Sequence, residues 1–346
     1  MNRNALFALL AAALFGISTP LAKQLLVSLS PVLLAGLLYL GSGVGLAMVR
    51  FVRDRGWQAP GLLKVEWFWL MGAIFFGGVA APVVCMYGLI WTPGSTASLL
   101  LNLEAVLTAL IAWVVFKENA DRRMVLGMAA IVAGGVVLSW PTDTHRHAGW
   151  MGPVFMGLAC LGWAIDNNLT RKVSASDAVF IAASKGLVAG LVNTVLAFSL
   201  GAHLPSVWVG LGAMAMGLFG YGLSLVLFVL ALRGLGTART GAYFSVAPFI
   251  GASVAVMAFG ESTGLLFWVA ATLMAWGLWL HLSETHAHAH WHTPMTHDHP
   301  HSHDEHHQHA HDFFWSGSGT HQHRHTHALV RHMHPHFPDI HHRHEH

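Results

Sequence analysis

Phe15-Gly16-Ile17-Ser18-Thr19-Pro20-Leu21-Ala22-Lys23 is matched 148 residues on by Trp163-Ala164-Ile165-Asp166-Asn167-Asn168-Leu169-Thr170-Arg171. A second set, Ala109, Ala112, Phe116, Glu118 and Gly134, recurs 143 residues later as Ala252, Ala255, Phe259, Glu261 and Gly277. The order is the same in both copies, and the difference between the two shifts fits a longer loop in the first. Each half reads as five apolar stretches. An odd number of spans turns the second copy upside down in a bilayer, and inverted repeats are the build of secondary transporters. The chain therefore reads as an all-α membrane protein of ten transmembrane helices. Two inverted five-helix repeats, residues 1–141 and 142–283, are followed by a disordered His-rich tail, 284–346.

Composition agrees. Hydrophobic residues are 54% of the 346 and charged residues 10%, with mean hydropathy +0.53, where a soluble domain carries about 25% charged residues. The apolar spans lie near 4–27, 31–49, 66–90, 95–116, 123–140, 149–170, 178–200, 206–232, 238–259 and 263–282, each close to the ~20 residues that cross a bilayer. The Ala-rich start has the look of a signal peptide, but its match to the span holding Asp166 makes it the first helix. With the N-terminus inside, twelve basic residues fall on the cytoplasmic side and only Lys23 and Arg146 on the other. That bias predicts an inner or plasma membrane protein with both termini cytoplasmic. Cys85 and Cys160 both fall within spans and read as small buried hydrophobes rather than a disulfide or metal pair.

The run Leu99-Leu100-Leu101-Asn102-Leu103-Glu104-Ala105-Val106, continuing through Phe116-Lys117-Glu118 to Gly134-Gly135, has a second copy. That copy is Ala242-Tyr243-Phe244-Ser245-Val246-Ala247-Pro248-Phe249 through Phe259-Gly260-Glu261. In these pieces the chain resembles the EamA-type branch of the drug/metabolite transporter superfamily, over about residues 5–282. The resemblance implies an exporter or exchanger of small metabolites with a central pocket between the repeats, and it names no substrate. Two departures stand out. Family members have a proline in both the fourth and ninth spans; here Pro248 has that place in the ninth, but Ala105 has it in the fourth, after Glu104. An arginine is common in the second and seventh spans, where this chain has the neighbourhood of Leu38 and Tyr39, and Lys185.

Glu104, Asp166 and Lys185 cannot reach an interface, and a charge at mid-bilayer costs about 2.5–3.5 kcal/mol on insertion scales. Glu104 comes about 14 Å into its span at ~1.5 Å per residue, close to the midplane. It has no partner evident at its own level. Burial disfavours its charged form, which suits a carboxyl that binds and releases a proton or cation; a protonated acid bonded to a neighbouring helix is the structural alternative. Asp166 and Lys185 sit about 6 and 10 Å from one side on consecutive helices, so a salt bridge is expected, as readily structural as functional. Pro20 and Pro248 free the carbonyls of Gly16 and Phe244, the setting of a substrate cavity. Ser18, Thr19, Asn167, Asn168, Asn102, Tyr243 and Ser245 complete the expected pathway, though interhelical hydrogen bonding accounts for any one of them as well. Gly77-Gly78 and Gly134-Gly135 read as helix packing.

Of 27 histidines, 23 follow residue 285. His286, His288, His290, His292, His297, His299, His301, His303, His306, His307, His309 and His311 are candidate ligands for nickel, cobalt, zinc or copper. The tail has three readings: a store for a transported metal, a metal or pH sensor, or drift without a role. No cofactor is required, though transition metal ions are expected on the tail. The expected partners are a small solute or metal ion, the bilayer and a second copy of the chain as a homodimer, with no nucleic acid. The leading function is a secondary transporter, an exporter, of a small organic metabolite with Glu104 as its coupling or binding carboxyl. The alternatives are a transporter of divalent transition metal fed by the tail, and a membrane-anchored metal buffer or sensor. No enzyme is expected, because no span holds a mid-membrane histidine to serve as a base.

Overall fold

A computed structural model describes residues 3–56, 62–116, 122–140, 150–173, 177–235, 237–282, 287–292, 295–301, 321–327 and 330–335. They fall into two units, Met1–Glu284 and Thr285–His346. Among its described residues the regular elements of the first unit are helices: α1 (Arg3–Leu25), α2 (Pro31–Arg53), α3 (Lys64–Ala73), α4 (Ala81–Trp91), α5 (Gly94–Leu100), α6 (Leu103–Phe116), α7 (Arg122–Leu138), α8 (Met151–Thr170), α9 (Ala178–Ser199), α10 (Val207–Gly217), α11 (Ser224–Leu235), α12 (Thr237–Phe244), α13 (Ala247–Phe259) and α14 (Leu265–Leu282). Among the described residues, six helical runs are long and apolar enough to cross a membrane: Arg3–Leu25, Pro31–Arg53, Lys64–Trp91, Gly94–Val115, Ala178–Ser199 and Val207–Ala231. Ala247–Phe259 and Leu265–Leu280 are shorter apolar helices.

Local chemistry sets the ends. Pro31 opens α2, where its missing N–H costs nothing. The Asp177 carboxylate caps α9, accepting from the N–H of Val179 at 2.8 Å and of Phe180 at 3.2 Å. Gly260 closes α13 in the left-handed region, φ +67°, which a side chain would disfavour.

Two kinds of interruption recur at matching places. The wide π-turn Ile74–Ala80 joins α3 to α4, and another, Leu218–Leu223, joins α10 to α11. The α5/α6 run breaks at Leu101-Asn102 and the α12/α13 run at Ser245-Val246. Contacts recur in the same way: α2 packs on α9 and α7 on α14, α4 on α8 as α11 on α1, and α6 on α8 as α13 on α1. Close approach depends on small residues. On α2 and α9, Gly43 and Gly186 stand back to back with no room for a Cβ on either. The largest buried cluster joins Leu33, Leu34 and Leu38 of α2 to Met86 and Leu89 of α4 and to Met156 and Cys160 of α8.

Pro248 stands in the first turn of α13, after α12 has ended at Phe244, so the two helices meet at a break. The matching break in the first half forms with no proline at all: the Asn102 side chain donates to the Leu99 carbonyl at 2.9 Å.

In the second unit β1 (Ala287–His292) pairs antiparallel with β4 (Val330–Pro335), and β2 (Met295–His301) with β3 (His321–His327). Where the sequence predicts a disordered tail, four short strands are described, because alternate histidines have the period of a strand. The register sets His290 opposite His332 and His299 opposite His323. A two-stranded ribbon with no covering layer is marginal in water, in keeping with a composition too poor in apolar residues for a core. Of the metal-ligand candidates, His286, His303, His306, His307, His309 and His311 lie outside the described residues. His288, His290, His292, His297, His299 and His301 are described as backbone only.

Candidate functional site

The first π-turn and the start of α6 are where the buried charges gather. Widening the helix at 74–80 leaves carbonyls unpaired along the turn, and side chains from three other helices meet them. Gly77 O accepts from Tyr39 Oη at 2.8 Å and from Trp163 Nε1 at 3.0 Å. Asn193 Nδ2 donates to Gly78 O at 3.2 Å and Val79 O at 3.3 Å. Gly77 also has no room for a Cβ, because the Asp166 carboxylate occupies that space.

Asp166 and Lys185, expected to meet, do so: Lys185 Nζ lies 2.6 and 2.5 Å from the two carboxylate oxygens. Thr170 Oγ1 adds a third donor, 2.8 Å from Asp166 Oδ1. The two side chains are 17% and 7% exposed, so the ion pair is nearly closed off. One residue along α8, Asn167 Nδ2 donates to Glu104 Oε1 at 2.9 Å and lies 3.3 Å from Thr108 Oγ1. This corrects the expectation that Glu104 lacks a partner at its own level: the partner is neutral, and it comes from α8. Glu104 is half-buried and Asn167 exposed. The break at Leu101-Asn102 puts Glu104 in the first turn of α6.

The remaining pathway candidates spread out. Asn168 donates to Ala164 O at 2.8 Å and Thr108 O at 3.3 Å, tying α8 to α6. Asn102 serves the helix break. Ser18 donates to Phe15 O at 2.6 Å and packs against Gly220 in the second π-turn. It is the repeat mate of Asp166, and Gly220 that of Gly77, at the same shifts of 148 and 143 residues read from the sequence. Thr19 is buried, Ser245 half-buried and Tyr243 exposed; none of the three joins the charged group. Sequence reasoning missed Tyr39, Trp163, Thr108 and Thr170, although Trp163 opens the repeated nonapeptide and Tyr39 stands where Lys185 has its counterpart.

Beside the charges runs a wall of rings. Tyr39 and Tyr221 lie 5.6 Å apart, Tyr221 and Phe15 5.8 Å, Phe15 and Phe244 5.7 Å, and Phe244 and Phe228 5.0 Å, centroid to centroid. All five side chains are half-buried. A cavity of about 380 Å³ elsewhere, lined by Ser28, Ser30, Tyr87 and His203 among others, touches none of these groups. Among the described residues no group of three or more His, Cys, Asp or Glu side chains is disposed to hold a metal.

Two further contacts close one end of the bundle. The Glu261 carboxylate accepts from the N–H of Gly94 at 2.7 Å and of Ser95 at 2.8 Å, capping α5. Lys23 donates to the carbonyls of Leu89 and Ile90 at the end of α4.

Residues 2–140 match the model of the EamA-like transporter family. The chain is similar to an uncharacterized transporter of Methanothermobacter thermautotrophicus, 26% identical over 282 residues, 77% of this chain and 82% of that protein. It is also similar to the uncharacterized transporter YetK of Bacillus subtilis, 24% identical over 168 residues, 47% of this chain and 50% of that protein. One protein crystal structure superposes with a TM-score of 0.60 at 18% identity, over 80% of this chain and 94% of that one, a likeness of fold alone.

Proposed function

We propose that this chain, whose residues 2–140 match the EamA-like transporter family model and which is similar to two uncharacterized transporters, is a multi-pass membrane transporter, a secondary exporter of a small organic solute with Glu104 as the carboxyl that binds the solute and the coupling proton in turn. The observation that carries this reading is the Glu104–Asn167 pair. It is a carboxyl in the first turn of a half-helix, held by a neutral amide and next to an ion pair that is already satisfied. A carboxyl so placed can exchange a proton for cargo without breaking a salt bridge.

The architecture proposed with it is ten spans in two inverted repeats, both termini cytoplasmic, rocking about the central site. Matched π-turns, matched breaks, paired contacts and the pairing of Ser18 with Gly220 and Asp166 with Gly77 support it. With that orientation the Lys23 and Glu261 contacts lie on the outer face, where they hold the turn between α4 and α5 and shut the outer path. Transition metal fits the site less well, since the described residues offer no cluster of three ligands.

The test is solute-driven proton movement in everted membrane vesicles holding the full chain, scored with a panel of amines, amino acids, sugars and nucleosides. At least one solute is expected to discharge the pH gradient with the native chain and none with Glu104→Gln at equal membrane levels. Equal discharge by Glu104→Gln rules out the role given to this carboxyl.

A further inference from the structure

The pairing of β2 with β3 brings their histidines to one face. Residues along a strand alternate between its two faces, and the register sets His297 opposite His325, His299 opposite His323 and His301 opposite His321. His327 falls opposite Met295 on the same face. All seven histidines of the two strands therefore share it. A register shifted by one residue would put those of β2 and those of β3 on different faces. These strands are described as backbone only, so their histidines are grouped by register rather than by side-chain distances.

The other face favours this register. There Asp298 falls opposite Arg324 and Thr296 opposite Thr326. An opposite-charge pair and a threonine pair are both favourable directly across two antiparallel strands. The histidine face has no such gain of its own, and protonated imidazoles would set like charges opposite one another. Neutral imidazole, however, is a ligand for zinc, nickel, copper and cobalt. Directly opposite positions have Cβ atoms ~4.5–5.5 Å apart, and next-but-one positions on a strand lie ~6.8 Å apart. Two neighbouring pairs thus offer four imidazoles at a spacing that one ion can bridge with bonds of ~2.0–2.1 Å to nitrogen. A two-stranded ribbon is marginal alone, and an ion held from both strands would add its binding energy to the pairing. We propose that the histidine face of β2 and β3 is a site for a divalent transition-metal ion, ligated from both strands, and that the ion holds the ribbon together. In a tail of independent histidines, by contrast, any of them would serve as well as another. The site stands apart from Glu104 and from the nature of the cargo.

The test is the distance between spin labels on Thr296→Cys and Thr326→Cys in the full chain in detergent, with Cys85→Ala and Cys160→Ala. The two labelled positions are directly opposite each other on the face without histidines. Zinc is expected to narrow their distance distribution to a single short separation, and EDTA to reverse the change. His299→Ala with His323→Ala, an opposed pair, should raise the zinc concentration required by about tenfold or more. His306→Ala with His309→Ala, outside the four strands, should change it little. Chains labelled at Thr296→Cys alone report whether zinc merely joins two molecules. A distribution that zinc leaves broad, an equal effect of the two double replacements, or a short distance in singly labelled chains would each overturn the proposal.

Discussion

Cutting Asp166 back to asparagine would leave the Lys185 ammonium among apolar helices with no carboxylate to hold it. Breaking a buried pair from one side costs about 3–5 kcal/mol, whereas replacing both partners with apolar residues is near neutral. Asp166→Asn should therefore lower the melting temperature in detergent, and Asp166→Leu with Lys185→Met should restore most of the loss. A double variant no more stable than the single one would mean that the unpaired ammonium is not the cause. Gly77→Ala should also destabilise, since its Cβ would overlap the Asp166 carboxylate. Depth along the chain was enough to foresee this ion pair from sequence, because both residues could be counted from one membrane face. The Glu104–Asn167 contact was not foreseen, because counting residues gives height but not the direction a side chain faces around its helix. Gly77 was read only as packing. Its second role belongs to its carbonyl, which no residue letter records.

At the scale of helices, the short α5 begins where Glu261 meets it. Gly94 and Ser95 have N–H groups with no partner inside their own helix, and the Glu261 carboxylate accepts from both. Glu261→Ala should cost about 1–3 kcal/mol, and Glu261→Gln, which keeps one acceptor, distinctly less. Thermal unfolding measures this, and labelling a cysteine placed at Thr92 should speed up in the alanine variant. The repeated Phe-x-Glu was legible as a family mark, and its second copy has this physical meaning. The first copy's Glu118 lies outside the described residues.

At the opposite ends of α2 and α9, Arg53 bonds to Asp54 and Asp177. The Arg53 hydrogen bond holds the Asp54 carboxyl below its ordinary pKa. Burial pushes Asp177 upward, but Arg53 and the N–H groups of Val179 and Phe180 outweigh it and its pKa is lowered as well. A carboxyl lowered in the folded state adds stability above its unfolded pKa of about 4, and that stability is lost as pH falls through the folded value. Arg53→Gln should thus narrow the stability difference between pH 6 and pH 3, read from melting curves at the two pH values. An unchanged difference would remove these carboxylates from the acid response. The helix breaks themselves were only half legible: proline drew attention to the ninth span, while the equivalent break before Glu104 is made by Asn102, a residue with no such reputation.

For the molecule as a whole, the sequence offered two shifts, 148 and 143 residues, and the pairs Ser18 with Asp166 and Gly77 with Gly220 at those shifts came to notice only beside the two π-turns. The tail was the least legible, because a run of histidines constrains composition and leaves purpose open. Its role can be separated from that of the membrane unit. If the cargo is an organic solute bound at Glu104, a chain ending at Leu282 should discharge the pH gradient of everted vesicles with that solute as the full chain does. It should lose most nickel and zinc binding, since 23 of the 27 histidines go with the tail. If the tail instead supplies a metal cargo, truncation should abolish metal tolerance in a host that lacks its own exporters, and Glu104→Gln should do the same. The two variants together decide the matter. Loss with both assigns the tail to the transport route. Loss of solute transport with Glu104→Gln alone leaves it as an appendage to a transporter that works without it.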